Sequence, residues 1–251
     1  MFHLGCATRP NPAECERPSS CPTWKTVVVV NVLDREVYTE AEAARLLRVA
    51  QSTLHYWLEG GERRGRSYKP VIRIEPRSAR AVSWAEFVEA GLLREYRRTH
   101  RVPMIELRAF IDVLREQFGV PYPLADRRPY VAGRELVMEA QTAARLDPEF
   151  CLVAVVSGQL LLTPPSAAFL ERVTWDGDIA AAWRPDANPD SPVRIQPDVR
   201  FGRPAIKGIS TDTIWEQDDV GLGVDEIAEI YQLEIADVRW ALAYENSQRA
   251  A

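Results

Sequence analysis

YTEAEAARLLRVAQSTLHYWLEGGERRGRSYK, residues 38–69, is the stretch whose reading decides the fold. Thr39 precedes an Ala/Leu-rich run, and Glu42 follows three positions later, the spacing of a capping box at a helix start. Ala41, Ala44 and Leu47, with Leu46 beside them, give that helix one apolar stripe. Residues 48–51 form a short turn, and Ser52 is placed to cap a second helix carrying Leu54, Tyr56, Trp57 and Leu58. Gly60 and Gly61 end that helix. Arg63, Arg64, Arg66 and Lys69 then crowd a Gly/Ser-containing loop ahead of the strand-like Val71–Ile74. Two short helices, a tight turn and a basic hairpin, in that order, are the parts of a winged helix-turn-helix. In that architecture the second helix enters the DNA major groove and the basic hairpin suits phosphates.

The segment YTEAEAARLLRVAQSTLHYWLEGG resembles the first two helices of the winged-helix domain of the MerR family. VSWAEFVEAGLLREYRRTHRVPMIELRAFIDVL, residues 82–114, resembles the two helices that follow that family's wing. The likeness covers Tyr38 to Gly119 and departs at His55, where the family usually carries arginine. It implies that Gln51, Ser52, Thr53 and His55 face bases, while Tyr56, Arg63, Arg64, Arg66 and Lys69 contact phosphates. It also implies operator DNA as a partner and a homodimer reading two half-sites. The family dimerises through a long helix after the wing. Here that helix, Met104–Phe118, is about 15 residues or ~22 Å long, so a dimer needs another surface as well.

Charge is divided along the chain. The net charge is −5, which by itself argues against a nucleic-acid partner. Yet residues 34–115 hold 16 Lys/Arg against 12 Asp/Glu, and residues 176–251 hold 7 against 15. A basic half and an acidic half point to different partners. No apolar run is long enough to span a bilayer. The first 24 residues lack the continuous apolar core of a secretory signal, so they read as a disordered leader and the chain as cytoplasmic, with no membrane partner. Cys6, Cys15 and Cys21 match no zinc spacing. Cys151 reads as a small buried hydrophobe.

In chain order, Lys25–Leu33 is β-branched and reads as a strand. Ser83 and Glu86 repeat the capping-box spacing and open a helix to about Thr99. Phe87, Val88, Leu92 and Tyr96 can pack that helix against the first pair. Arg94, Arg97, Arg98 and Arg101 at its end suit either the helix dipole or a DNA backbone. Pro103 stands at the next helix start and Gly119 at its stop. Beyond a Pro-containing connection, Tyr130–Met138 reads as a strand. Residues 151–163 and 173–183 read as hairpins turning at Ser157-Gly158 and Asp176-Gly177-Asp178. Phe169, Trp175 and Trp183 read as core. Asp186–Pro192 is turn chemistry and a boundary.

The remainder, VRIQPDVRFGRPAIKGISTDTIWEQDDVGLGVDEIAEIYQLEIADVRWALAYEN, closely resembles a small helical domain of unknown function found in antitoxins paired with VapC-type PIN-domain toxins. The carrying residues are Ile195, Pro197 and Phe201–Gly208, then Asp225–Ala228, Tyr231, Val238, Ala241-Leu242 and Tyr244. Ile209–Asp212 departs from that pattern, so the first helix is expected to start differently. Physically, two short helices over 225–231 and 235–245 share a core of Ile227, Ile230, Tyr231, Leu233, Val238 and Leu242. The surface is acidic, which favours a protein partner over DNA. Phe201–Pro204 reads as a tight turn. Its neighbours Arg203 and Lys207 pair internally with Asp198 or a nearby Glu, or else face a partner.

No Ser/His/Asp or Cys/His arrangement, phosphate loop or metal spacing is present, so neither an enzyme nor a cofactor is expected. Asp218-Asp219 and Asp225-Glu226 sit near helix starts, where the dipole explains them without a metal. The expected fold class is α+β, divided as a leader over 1–24, a MerR-like winged helix over 25–125, a small antiparallel β region over 126–190 and a helical unit over 191–251. Together the two resemblances imply a VapB-type antitoxin that neutralises a cognate PIN-domain toxin and represses from its own operator. Arg203, Lys207, Arg239 and Arg249 are then the candidate toxin-facing cations, because a cation can compete with the metal in an acidic groove. The alternative is a ligand-responsive MerR-like regulator with the middle sheet as sensor.

Overall fold

Thr39 and Glu42 form the reciprocal cap that their spacing predicts. The Thr39 hydroxyl accepts from the Glu42 amide at 3.3 Å, and the Glu42 carboxylate accepts the Thr39 amide at 2.9 Å. This computed structural model describes residues 31–63, 65–77, 79–99, 104–146, 151–157 and 159–250. Strand β1 (Glu36–Thr39) leads into α1 (Glu40–Leu47), which ends on Arg48 in the left-handed region. Then come α2 (Gln51–Glu59) and the hairpin β2 (Gly61–Arg63) and β3 (Arg66–Tyr68). Gly60, at φ +73°, must be glycine: a Cβ there would lie 2.2 Å from the Tyr68 carbonyl oxygen.

Three expectations in this region are corrected. Helix α2 is entered from Ala50 with no side-chain cap, so Ser52 lies inside the helix and does not cap it. Val71–Ile74 is not a strand, since the amides of Val71 and Ile72 both turn back onto the Trp57 carbonyl at 2.9 and 3.0 Å. Val32–Asp34, the end of the expected Lys25–Leu33 strand, is a 3-10 turn because the Asn31 side chain accepts the Leu33 amide. The rest of that strand and the leader over 1–24 lie outside the described residues.

Strand β4 (Ala81–Ser83) pairs antiparallel with β1, an association the sequence reading did not contain. It opens α3 (Trp84–Thr99), capped by Ser83 and Glu86 as expected. Helix α3 is buried over most of its described length, including Trp84, Phe87, Val88, Leu92 and Leu93. Its Arg94 is buried and bonds Glu95, so it is not a backbone-reaching cation. The side chains of Arg97, Arg98 and Arg101 lie outside the description. Helix α4 (Met104–Phe118) runs to Gly119, whose φ of +65° closes it.

The region 126–190 is mixed, and Tyr130–Met138 is not a strand. Instead α5 (Arg128–Val131) and α6 (Arg134–Ala143) occupy it. Pro129 within the first turn suits a helix start, and α6 buries Val137, Ala140 and Gln141 at helical spacing. The hairpin β5 (Val153–Val156) and β6 (Gln159–Leu162) follows, then α7 (Pro164–Arg172), then the hairpin β7 (Val173–Asp176) and β8 (Ile179–Trp183). Both hairpins fall where the turn residues placed them. Phe169 and Trp183 are core as expected, and Trp183 meets Phe87 edge-on at 5.3 Å. Trp175 and Cys151 are half-buried against the same core.

C-terminal to the Asp186–Pro192 turn, β9 (Ala205–Ile206) and β10 (Ile209–Ser210) make a small hairpin ahead of α8 (Thr211–Asp219), α9 (Val224–Tyr231) and α10 (Ile235–Arg249). Ser210 caps α8, which gives the departure at Ile209–Asp212 a physical account. Asp225-Glu226 lie in the first turn of α9 as expected, whereas Asp218-Asp219 end α8, where the dipole does not favour them. The fold is thus α+β, with two-stranded antiparallel sheets set among helices. It has two apolar clusters. One runs from Tyr38 to Ile195 and includes the middle hairpins, and the other gathers Val193, Ile206, Ile214, Ile227, Val238 and Tyr244; Ile230, expected in that core, is exposed instead. The chain that leads to the second cluster is held on the first, where the Trp183 and Ile195 backbones exchange hydrogen bonds at 2.9 and 2.8 Å, and the adjacent Arg194 exchanges bonds with Ala205 of β9 at 2.9 Å each way. The Tyr38 hydroxyl adds a bond to the Gly202 carbonyl at 2.6 Å.

Candidate functional site

Helix α2 buries Leu54, Trp57 and Leu58 and turns Gln51, Ser52 and His55 to solvent. Three of the residues singled out in sequence therefore share the exposed face of the first half of this helix, with Thr53 half-buried beside them. His55 is constrained from below. Its Nδ1 lies 3.1 and 3.2 Å from the two carboxylate oxygens of Glu40, a residue of α1 that is itself buried. That contact orients the ring and leaves Nε2 as the nitrogen available to a partner.

Arg80 joins this surface and was missed in the sequence. It lines a shallow depression with Glu40, Gln51, Ser52 and His55, and its carbonyl accepts the Glu40 amide at 3.1 Å. The β1–β4 pairing brings it there, matching Thr39 with Ala81. A three-residue strand gives too little pattern to announce that contact.

The β2–β3 hairpin stands beside α2, with Tyr56 meeting Tyr68 edge-on at 6.4 Å. Arg66 and Lys69 are exposed. Arg64 and the side chain of Arg63 lie outside the description. The loop behind the hairpin is fixed by Arg73, whose guanidinium is buried against Glu59, Glu86 and the Ala81 carbonyl. Arg108 and Arg115 of α4 also donate to the carbonyls of Pro70 and Ile72. The exposed helix face and the basic hairpin thus rest on a rigid support.

The four C-terminal cations separate. Lys207 is paired with Asp237 at 2.8 Å and Glu234 at 3.5 Å, and the Asp237 hydrogen bond raises its pKa. Arg249 pairs with Asp212 at 2.8 Å and lies over the Trp215 ring at 3.5 Å. Both therefore have partners within the C-terminal unit. Asp198, the expected partner for Arg203 or Lys207, is taken by Arg35. Arg203 and Arg239 are exposed.

A cleft of about 600 Å³ lies between β1/α1 and the C-terminal unit, with Arg45, Phe201, Arg203 and Tyr244 in its lining. Among the described residues no group of three or more His, Cys, Asp or Glu is placed to hold a metal, and no helix is long and apolar enough to cross a membrane.

Residues 193–244 match the family described as "Protein of unknown function (DUF433)". A crystal structure of Rv2018 from Mycobacterium tuberculosis shares the fold, with a TM-score of 0.69 and 24% identity, over 84% of this chain and 100% of that one. The M. tuberculosis protein named "Putative antitoxin VapB45" is 29% identical over 189 residues, 70% of this chain and 78% of that one. The uncharacterized protein Rv2308 of the same organism is 32% identical over 238 residues, 89% of this chain and 95% of that one. With that identity across nearly the whole of both, the chain belongs to the family of the uncharacterized protein Rv2308.

Proposed function

We propose that the chain is an antitoxin with two working ends: its C-terminal unit binds and silences a PIN-type ribonuclease, and its N-terminal end binds operator DNA as a repressor. The toxin side is carried by the likeness, over 70% of the chain, to the protein named as an antitoxin. In this reading the chain performs no chemistry itself. Lys207 and Arg249 are held in internal pairs, which leaves Arg203 and Arg239 exposed; Arg239, four residues after the exposed Ile235 on α10, is the cation assigned to the toxin. Exposed Ile230 and Ile235 supply apolar area on α9 and α10, the mixture of arginine and apolar anchors that stable interfaces use.

Co-expression with the product of the neighbouring reading frame tests the toxin side. The expected result is a co-purifying complex that is silent as a ribonuclease until this chain is removed. A neighbour that fails to co-purify, or that is not a nuclease, would sink it.

At the N-terminal end, α1 and α2 act as a helix-turn-helix and β2–β3 as its wing. A homodimer lays two α2 helices in successive major grooves, with Gln51, Ser52 and His55 at base edges and Arg66 and Lys69 on phosphates. Arg66→Ala is expected to weaken binding to all sequences and to flatten the salt dependence by about one unit. Gln51→Ala is expected to relax sequence choice while leaving that slope alone. Titrations against salt on operator and random DNA separate the two, and an unchanged slope for Arg66→Ala would remove the hairpin from the interface.

A further inference from the structure

We propose that the cleft between α1 and the C-terminal unit is a binding site for a small organic oxyanion, a carboxylate or phosphate carried on a flat apolar body. The site goes beyond the toxin and operator surfaces, and it takes Arg203, one of the four cations first considered for the toxin, into a different role. Its volume of about 600 Å³ suits a small molecule, and junctions between folding units are favoured places for such sites.

The balance of unused hydrogen-bonding groups sets the charge of the occupant. Every carboxylate on the cleft wall already has a partner. Glu42 accepts the amide and hydroxyl of Thr39, and these bonds, with the nearby charges of Arg45 and Arg203, hold its carboxyl below the usual range, so both guanidiniums face one carboxylate without donating to it. Asp212 accepts from Arg249 at 2.8 Å, and Glu245 accepts the Thr211 hydroxyl at 2.5 Å. Of the cations, Arg200 donates its Nε to the Gly208 carbonyl at 2.7 Å. The guanidiniums of Arg45 and Arg203 donate to no acceptor among the described residues. The spare capacity of the cleft is therefore two planar donor forks, which match an oxyanion in both charge and shape.

The flat body follows from Phe201. This ring is 82% exposed at the cleft rim, on a backbone at φ +55° that follows Arg200 at φ +50° and precedes Gly202 at φ +74°. Left-handed backbone is costly for phenylalanine, and the loop cannot relax out of it. The Gly202 carbonyl is held by the Tyr38 hydroxyl, and a Cβ on Gly202 would lie 2.4 Å from Val37 Cγ1. Burial pushes the Tyr38 phenol well above its usual range, so it remains a donor. Backbone strain enforced from outside, with an aromatic face held in water as its result, is the pattern of a binding loop. An occupant spanning Arg45 and Arg203 ties α1, whose Glu40 orients His55, to the C-terminal unit.

The test is an NMR titration of the full chain with phenyl phosphate, benzoate and inorganic phosphate. Ligands of this size bind with roughly millimolar affinity. Saturable shifts from at least one aromatic anion are expected, weakened about tenfold by Arg203→Ala and by Arg45→Ala. Phe201→Ala should weaken the aromatic anions and leave inorganic phosphate unaffected. Lys207→Ala, which removes a cation already paired elsewhere, should change nothing. All four positions are exposed, and an unchanged melting temperature establishes that each variant is folded. The proposal is overturned if neither aromatic anion gives a saturable response, or if binding survives the Arg45→Ala/Arg203→Ala double variant undiminished.

Discussion

Arg73→Ala is expected to cost about 3–5 kcal/mol of folding stability, the range for breaking a buried ion pair from one side. The Arg73 side chain is 1% exposed and faces Glu86, which is fully buried. Its Nε and Nη2 donate to the two Glu86 oxygens at 2.9 and 3.1 Å, and Nη2 also reaches the Ala81 carbonyl at 2.6 Å. Nη1 pairs with Glu59 at the end of α2. One guanidinium thus joins the second helix, the strand β4 and the start of α3. Without it the Glu86 carboxylate is left in the interior with Arg77, a half-exposed cation at 3.3 Å, as its remaining counter-charge. Urea denaturation reads the effect as a lowered midpoint at constant slope. The double variant Arg73→Met/Glu86→Leu should recover most of the loss, because it removes both charges together. The lost Ser83–Glu86 cap limits the recovery by about 1 kcal/mol. A loss below about 1 kcal/mol for Arg73→Ala would mean that the pair is solvated in the folded protein.

Glu89 gives the second large effect, and its sign can be worked out. The residue is fully buried on α3. One oxygen accepts the Leu124 amide at 2.9 Å, and the other has no partner among the described residues. Burial pushes its carboxyl up to about 8, with Glu86 adding to the rise and Arg115 and the Leu124 amide opposing it. The folded chain therefore holds a proton that the unfolded chain has released above its ordinary carboxylate range. Stability conferred by that proton is complete at low pH, falls as pH rises from about 4.5 to about 8, and is flat beyond. The decline is on the order of a few kcal/mol, since each pKa unit is worth about 1.4 kcal/mol. Glu89→Gln keeps an acceptor for Leu124 and cannot ionise. Melting curves across this range should show a flatter profile for the variant and a higher melting temperature than the parent at the alkaline end. Parallel profiles would mean that Glu89 is already ionised in the fold.

The sequence carried the parts of the fold that depend on local chemistry. Both capping boxes, Thr39 with Glu42 and Ser83 with Glu86, start helices where they were expected. Turn residues placed both middle hairpins, and the C-terminal helices follow the spacing of Ile227, Val238 and their neighbours. Tyr130–Met138 failed because Tyr130, Val131 and Val137 favour strands, while the burial of Val137, Ala140 and Gln141 has a helical period that short segments barely display. Of the candidate site, the exposed end of α2 and the basic hairpin were legible. Arg80 and the cleft were not, because each depends on contacts between distant residues: Glu40 with Arg80, and Tyr38 with Gly202.

The Asp186–Pro192 turn has the composition of a linker, but the chain beyond it does not leave the first core. Val193 enters the second apolar cluster, yet Ile195, two residues later, packs in the first and bonds the Trp183 backbone on both sides. Strand β1, at the opposite end of the chain, is clasped by Gly202 through Tyr38. A cut in that turn would divide the polypeptide without dividing the fold. Fragments designed on the linker-like composition would each expose half of a shared seam, and the smallest autonomous piece that keeps the α2 surface supported also includes the chain through Gly202.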